Sequence, residues 1–244
     1  MRKLLTISFI GTNYVGWQFQ KNGISLQETV GDAFKKVYGQ NIPITGCSRT
    51  DSGVHALNYY LHFDDIKGIE NEKIVLALNN YLPEDIAAKT CTDVSDDFHA
   101  RYSAKSKTYI YKIYTGVRNP FLEQRAYRIK QKNVNLEKIN AFAHNLLGQH
   151  DFSSFCAAGT DVQDKVRNLY KACAYKFDDD VIAFEFSADG FLYNMVRILS
   201  GTFLEVNSGK ISADDADKII EAKNRSLAGI TLPAYGLYLK EVHY

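Results

Sequence analysis

One short stretch sets an arginine and a carboxylate among turn-forming residues: Gly46-Cys47-Ser48-Arg49-Thr50-Asp51-Ser52-Gly53-Val54-His55. A carboxylate on a tight loop between two strands is placed to act as nucleophile or base. An arginine two residues before it can hold a phosphate or fill a gap in a base stack. The same aspartate can equally serve as an Asx-turn acceptor, so the turn alone does not decide. A second stretch is Gly190-Phe191-Leu192-Tyr193-Asn194-Met195-Val196-Arg197, followed by the nearly apolar run Ile198 to Val206. Arg197 is therefore a charge on an otherwise buried helix and needs a carboxylate or phosphate partner. Either it makes an ordinary structural salt bridge, or it meets Asp51 in a shared cleft.

A third feature is electrostatic. Thr50 to Asp97 holds three basic and ten acidic residues, whereas Phe98 to Lys138 holds ten basic and two acidic. The basic members are Arg101, Lys105, Lys107, Lys112, Arg118, Arg125, Arg128, Lys130, Lys132 and Lys138, interleaved with Tyr102, Tyr109, Tyr111, Tyr114 and Phe121. Basic side chains neutralise phosphates, and aromatic faces stack unpaired bases. A solvated strand face, kept basic against aggregation, has the same composition.

Other chemistries find little support. His55 and His62 lie near Asp51, but no third ligand in register completes a metal site, and strand packing accounts for both. The zinc-deaminase signature lacks its Glu and its CxxC. Gly11 to Gly16 has phosphate-loop spacing, yet Trp17-Gln18 stands where Lys and Ser/Thr are required. No dinucleotide fingerprint occurs. Neither a metal nor a nucleotide cofactor is expected.

The whole chain bounds these readings. Its 244 residues carry a formal charge of +1, which argues against a uniformly basic coat but not against a local basic face. Cys47, Cys91, Cys156 and Cys173 form no CxxC pair and read as reduced thiols in a cytosolic protein. Met1 to Ile10 is broken by Thr6 and Ser8, so it does not read as a signal peptide. No apolar run approaches the roughly 18 residues of a membrane span.

Strands are expected over Leu4 to Phe9, Ile42 to Thr45, Ala56 to Phe63, Thr108 to Tyr114, Val166 to Phe177, Val181 to Ser187 and Gly236 to Val242. Ser25 with Glu28 predicts a helix start, and Gly39 its stop. Further helices are expected over Asn71 to Leu82, from Asn135 towards Gly148, over Phe191 to Val206, and around Ala216 to Ile220 with Ser212 as cap. The pattern is α+β, and it fits duplicated ferredoxin-like halves.

Seven further stretches accompany the arginine-aspartate turn in order. They are Gly11 to Gln20, Asn79 to Ile86, Phe98 to Ala104, Lys107 to Tyr111, Leu147 to Phe155, Phe191 to Gly201 and Gly236 to Leu239. Together with Ser48 to His55 they resemble the tRNA pseudouridine synthase A (TruA) family, over nearly the whole chain. The resemblance implies that Asp51 is the catalytic nucleophile, with Arg49, Tyr109 and Arg197 as substrate-binding residues. It implies isomerisation of uridine to pseudouridine in the anticodon stem-loop of tRNA, at family positions 38, 39 and 40. It implies no cofactor or metal, a homodimer, a cytoplasmic location, and two halves sharing a mostly antiparallel sheet. In that arrangement helices lie on one face and the active-site cleft lies between the halves. Residues 1–105 then carry the aspartate loop, and residues 106–244 the tyrosine and arginine. The RNA-binding set is Gln18, Arg101, Lys105, Lys107 and Lys112, with Lys165, Arg167 and Lys171 as the next candidates. Ser48 and Ser52 replace the family's usual Gly and Ala, and Phe9-Ile10 its usual Tyr-Asp. Two other readings are a tRNA-binding protein without catalysis and a nucleosidase or glycosidase, which normally needs a second carboxylate.

Overall fold

Leu5, Ile7 and Phe9 turn into the core from β1 (Arg2–Phe9), as their alternation requires. The computed structural model describes residues 1–131, 133–160 and 162–244, so Lys132 lies outside the described residues. The chain divides into two compact units, Met1–Lys105 with Tyr238–Tyr244, and Ser106–Leu237.

In the first unit β1 pairs antiparallel with β3 (His55–Asp64) on one side and β4 (Ile86–Asp93) on the other. β2 (Ile44–Gly46) pairs antiparallel with β3. The C-terminal strand β10 (Leu237–His243) returns to this unit and runs parallel to β3, with Tyr238 opposite His55. Sequence order had placed these last residues with the second half; backbone pairing puts Tyr238–Tyr244 with the first. Helix α1 (Leu26–Tyr38) begins where the Ser25 hydroxyl accepts the Glu28 amide at 3.2 Å. It ends at Gly39, whose φ of 73° is the left-handed cap a glycine adopts without strain. Its buried stripe includes Phe34, which meets the ring of Phe63 edge-on at 4.7 Å. Helix α2 spans Asn71–Asn79.

The second unit is built on β5 (Ser106–Tyr114), β9 (Val181–Ala188), β8 (Val166–Lys176) and β7 (Gly148–Asp151), each antiparallel to the next. The short β6 (Tyr127–Arg128) runs parallel to β5. Helices α3 (Leu136–His144), α4 (Met195–Ser208) and α5 (Ala216–Ala222) complete it. Phe203 of α4 sits 5.3 Å from Phe184, 5.1 Å from Phe186 and 6.3 Å from Phe142, and all four are fully buried. Each such side chain contributes about 1.5–3 kcal/mol on burial, so this cluster anchors α3 and α4 to β9. None of the helices among the described residues is long and apolar enough to cross a membrane.

The structure departs from the sequence expectations at several ends. The helix expected over Asn71 to Leu82 stops at Asn79, and the amides of Tyr81 and Leu82 close a tighter turn on the Leu78 carbonyl. α4 begins at Met195 rather than Phe191, because Asn194 takes a left-handed φ of 59°. The cap of α5 is Asp215, and Ser212 instead donates its amide to the Asp215 carboxylate at 3.0 Å. β4, β6 and β7 were not expected.

Candidate active site

The arginine-aspartate turn connects β2 to β3, and a second segment braces it from behind. The amide of Trp17 donates to the Thr50 carbonyl at 3.3 Å. The Gly53 amide and the Ser52 hydroxyl donate to the Tyr14 carbonyl at 3.3 and 3.2 Å. The two backbones touch so closely that side chains are excluded. A Cβ at Gly16 would stand 2.3 Å from the Thr50 carbonyl oxygen, and one at Gly11 1.9 Å from that of Val54. Gly16 also holds a φ of 103°, which L side chains rarely adopt.

The same segment is tied to α1. Gly16 and Trp17 offer their carbonyls to the amides of Leu26 and Gln27 at 3.0 and 2.9 Å, satisfying donors that a helix start leaves unpaired. Tyr14 donates its hydroxyl to Asp85 at 2.7 Å, and burial with that bond pushes its pKa up. On the other side, Tyr59 of β3 donates to the Ser48 carbonyl at 2.6 Å and stacks on Trp17 at 4.3 Å.

Within this frame Thr50 is buried, Asp51 half-buried and Arg49 exposed. Gln18 is exposed and follows Trp17, whose amide bonds the Thr50 carbonyl. His55 and His62 sit in the core of the strands. His55 Nδ1 accepts the Gly11 amide at 2.9 Å, and His62 Nδ1 accepts the Ala100 amide at 3.0 Å. Burial, aided by Arg2 and His99, lowers the His62 pKa to about 4. Among the described residues no group of three His, Cys, Asp or Glu side chains could hold a metal.

Tyr109 and Arg197 belong to the second unit. Tyr109 lies on β5 opposite Phe186, with the ring of Phe191 edge-on at 5.2 Å. Arg197 stands in the first turn of α4. Its Nε donates to the Leu232 carbonyl at 2.6 Å, and its Nη1 to the Asn194 side-chain oxygen at 2.7 Å. The left-handed Asn194 thus both delays the helix and holds the guanidinium. The irregular segment bearing Leu232 is locked to α4 by two glycines. A Cβ at Gly201 would meet the Ile230 carbonyl oxygen at 1.9 Å, and one at Gly229 the Thr202 amide at 2.4 Å.

The basic set divides. Arg101 and Lys105 are exposed on the chain leading to β5. Lys107 and Tyr109 share one face of β5, and Lys112 falls on the other by strand alternation. The Lys112 ammonium lies 4.1 Å from the centroid of the Phe177 ring, and burial lowers its pKa. Sequence reasoning singled out the arginine-aspartate turn but missed Tyr14, Trp17, Tyr59 and Asp85 as its supports, and Asn194 as the residue that holds Arg197. Tyr14, Trp17, Asp85 and Asn194 stood inside the stretches named above; nothing in the sequence marked Tyr59.

The sequence model of the tRNA pseudouridine synthase family matches residues 5–103 and 142–244. A tRNA pseudouridine synthase A of Caldicellulosiruptor saccharolyticus is 45% identical, covering 99% of this chain and 98% of the relative. Proteins of the same name from Ruminiclostridium cellulolyticum and Acetivibrio thermocellus are 42% and 44% identical, over 100% and 98% of this chain and 100% and 98% of their own lengths. On that full-length likeness, the chain belongs to the tRNA pseudouridine synthase family.

Proposed function

We propose that the chain isomerises uridine to pseudouridine in the anticodon stem-loop of tRNA, with Asp51 as the catalytic carboxylate. The family match over the full length carries the reaction class. Making pseudouridine breaks the bond between C1′ and N1, turns the uracil and joins C1′ to C5; the C5 proton leaves and N1 gains one. A uridine held in a stacked stem must first be flipped out. A half-buried aspartate on a loop braced through Gly16 and Trp17 supplies one positioned carboxylate for this, with no redox step or energy source. In this reading Tyr109 stacks on the uracil, Arg197 keeps Asp51 ionised, and exposed Arg49 fills the gap left by the flipped nucleotide. We read the two units as duplicated ferredoxin-like halves sharing a cleft; each contributes a mostly antiparallel set of strands with at least two helices. The reaction belongs in the cytoplasm, which suits a tRNA substrate and cysteines that form no disulfide.

We also propose a homodimer, with the turn between Tyr114 and Ala126 in its interface. Phe121 and Val117 there are 89% and 86% exposed. They line a cavity of about 480 Å³ that also reaches Asp180. Arg118 and Asp180 line it with opposite charges, as a self-complementary surface requires. Phe121→Asp should shift the sedimenting mass towards the monomer; an unchanged mass would move the interface elsewhere.

Tritium release from tRNA labelled at uridine C5 tests the reaction. An isomerase frees the C5 tritium while the base stays attached. A hydrolase frees uracil, and a binding protein does neither.

A further inference from the structure

We propose that the turn over residues 98–103 is a stacking platform on which the Tyr102 ring receives an unpaired base of the RNA substrate, separate from the target uridine. This rests on the tRNA reading above and adds a second contact to it.

Tyr102 is 76% exposed, yet its ring is not loose. It stacks on His99, with centroids 4.3 Å apart and planes 29° apart. His99 in turn rests against the buried His62 ring at 4.9 Å. The turn itself is bonded at almost every amide. His99 Nδ1 accepts the amides of Arg101 and Tyr102, both at 3.2 Å. The His99 amide donates to the Ser103 hydroxyl at 3.0 Å, and the Ser103 amide to the His99 carbonyl at 2.8 Å. Ala100 is held from both ends, its amide by His62 and its carbonyl by the Tyr244 hydroxyl at 2.8 Å. A rigidly supported aromatic ring shown to solvent is the arrangement that stacks a base with little loss of entropy on binding.

Charge selects the partner. From Phe98 to Lys105 the chain carries Arg101 and Lys105, both exposed, and no acidic residue. The guanidinium carbon of exposed Arg101 is 5.7 Å from the Tyr102 ring centroid, within reach of the phosphate of a nucleotide seated there. A ring beside cations fits an unpaired nucleotide better than an apolar peptide, which would need a pocket.

The test compares Tyr102→Phe and Tyr102→Ala with the parent enzyme over a range of tRNA concentrations, with melting curves to establish folding. Loss of one base stack costs roughly 5- to 150-fold in affinity. Tyr102→Ala should raise KM by a factor in that range with kcat unchanged, and Tyr102→Phe should stay within about twofold of the parent. Binding of single-stranded oligoadenylate should fall in parallel. A KM for Tyr102→Ala equal to the parent's would overturn the proposal. So would a change of sedimenting mass at unchanged KM, which would assign Tyr102 to a protein contact. A parent enzyme that releases no tritium would overturn the tRNA reading alone, and oligoadenylate binding would still report on Tyr102.

Discussion

The Tyr59 hydroxyl bonds the Ser48 carbonyl at 2.6 Å while its ring lies 4.3 Å from Trp17, so one β3 side chain holds both the arginine-aspartate turn and the segment behind it. Tyr59→Phe keeps the ring and removes the bond. It should cost about 1 kcal/mol, or about 2–4 °C in melting temperature, and slow turnover several-fold. Gly46→Ala should do more harm, because its Cβ would stand 2.1 Å from that hydroxyl and 2.6 Å from the Trp17 indole. Melting curves beside tritium release would settle both, and a Tyr59→Phe enzyme that matches the parent in each would remove this brace.

Gly201→Ala should displace the segment that carries Leu232. The added Cβ would sit 1.9 Å from the backbone oxygen of Ile230, which cannot rotate away as a side chain can. Arg197 would then lose the carbonyl that accepts its Nε. The expected result is a melting temperature several degrees lower, together with slower turnover. Alanine at Gly31 inside α1, where a Cβ meets nothing within 4 Å, serves as the control. It should leave turnover unchanged and raise the melting temperature slightly, because alanine is the better helix former.

Lys107 and Lys112 should behave differently towards RNA although both lie on β5. Each phosphate contact adds roughly −0.7 to −0.9 to the slope of log affinity against log salt. Lys107 shares the Tyr109 face, so Lys107→Gln should flatten that slope by about one contact. Lys112 packs over Phe177 on the opposite face, and Lys112→Gln should leave the slope alone. Equal effects of the two substitutions would mean that the RNA is not held on the Tyr109 face.

His62 should make stability fall in mild acid. Its pKa is about 4 in the folded chain, against about 6.5 unfolded. The neutral ring is favoured by folding, so the contribution is complete above about pH 6.5. It declines as pH falls from there to about 4, since only the unfolded chain takes up the proton. The total is on the order of 3 kcal/mol as an upper bound. Urea unfolding of the parent and His62→Gln at pH 7 and pH 4.5 checks this. The gap between the two pH values should narrow in the variant, and an equal gap would remove His62 as its source.

How much of this could be read from the chain depends on the range of the interactions. The α1 cap at Ser25 and its stop at Gly39 are local signals, and both are found in place. The turn bearing Arg49 and Asp51 was legible because small residues crowd a charged pair between two apolar runs. β4 was not, because Ala87, Ala88 and Cys91 give a weak alternation that only pairing with β1 makes into a strand. The return of β10 to β3 was equally hidden, since parallel pairing across most of the chain leaves no local trace. Tyr59 reads as one more core aromatic, and its bond to Ser48 exists only once β3 has folded against the turn. Asn194 shortens α4 through a backbone angle that its side-chain type permits but does not announce.

The measurement closest to the central claim is single-turnover tritium release by Asp51→Asn on labelled tRNA, run beside equilibrium tRNA binding. Asparagine keeps the size and the turn-forming capacity of the side chain and removes the charge. We expect binding and melting temperature close to the parent's, with tritium release lowered by at least about four orders of magnitude. Release within about tenfold of the parent, from a folded enzyme that binds tRNA, would contradict Asp51 as the catalytic carboxylate.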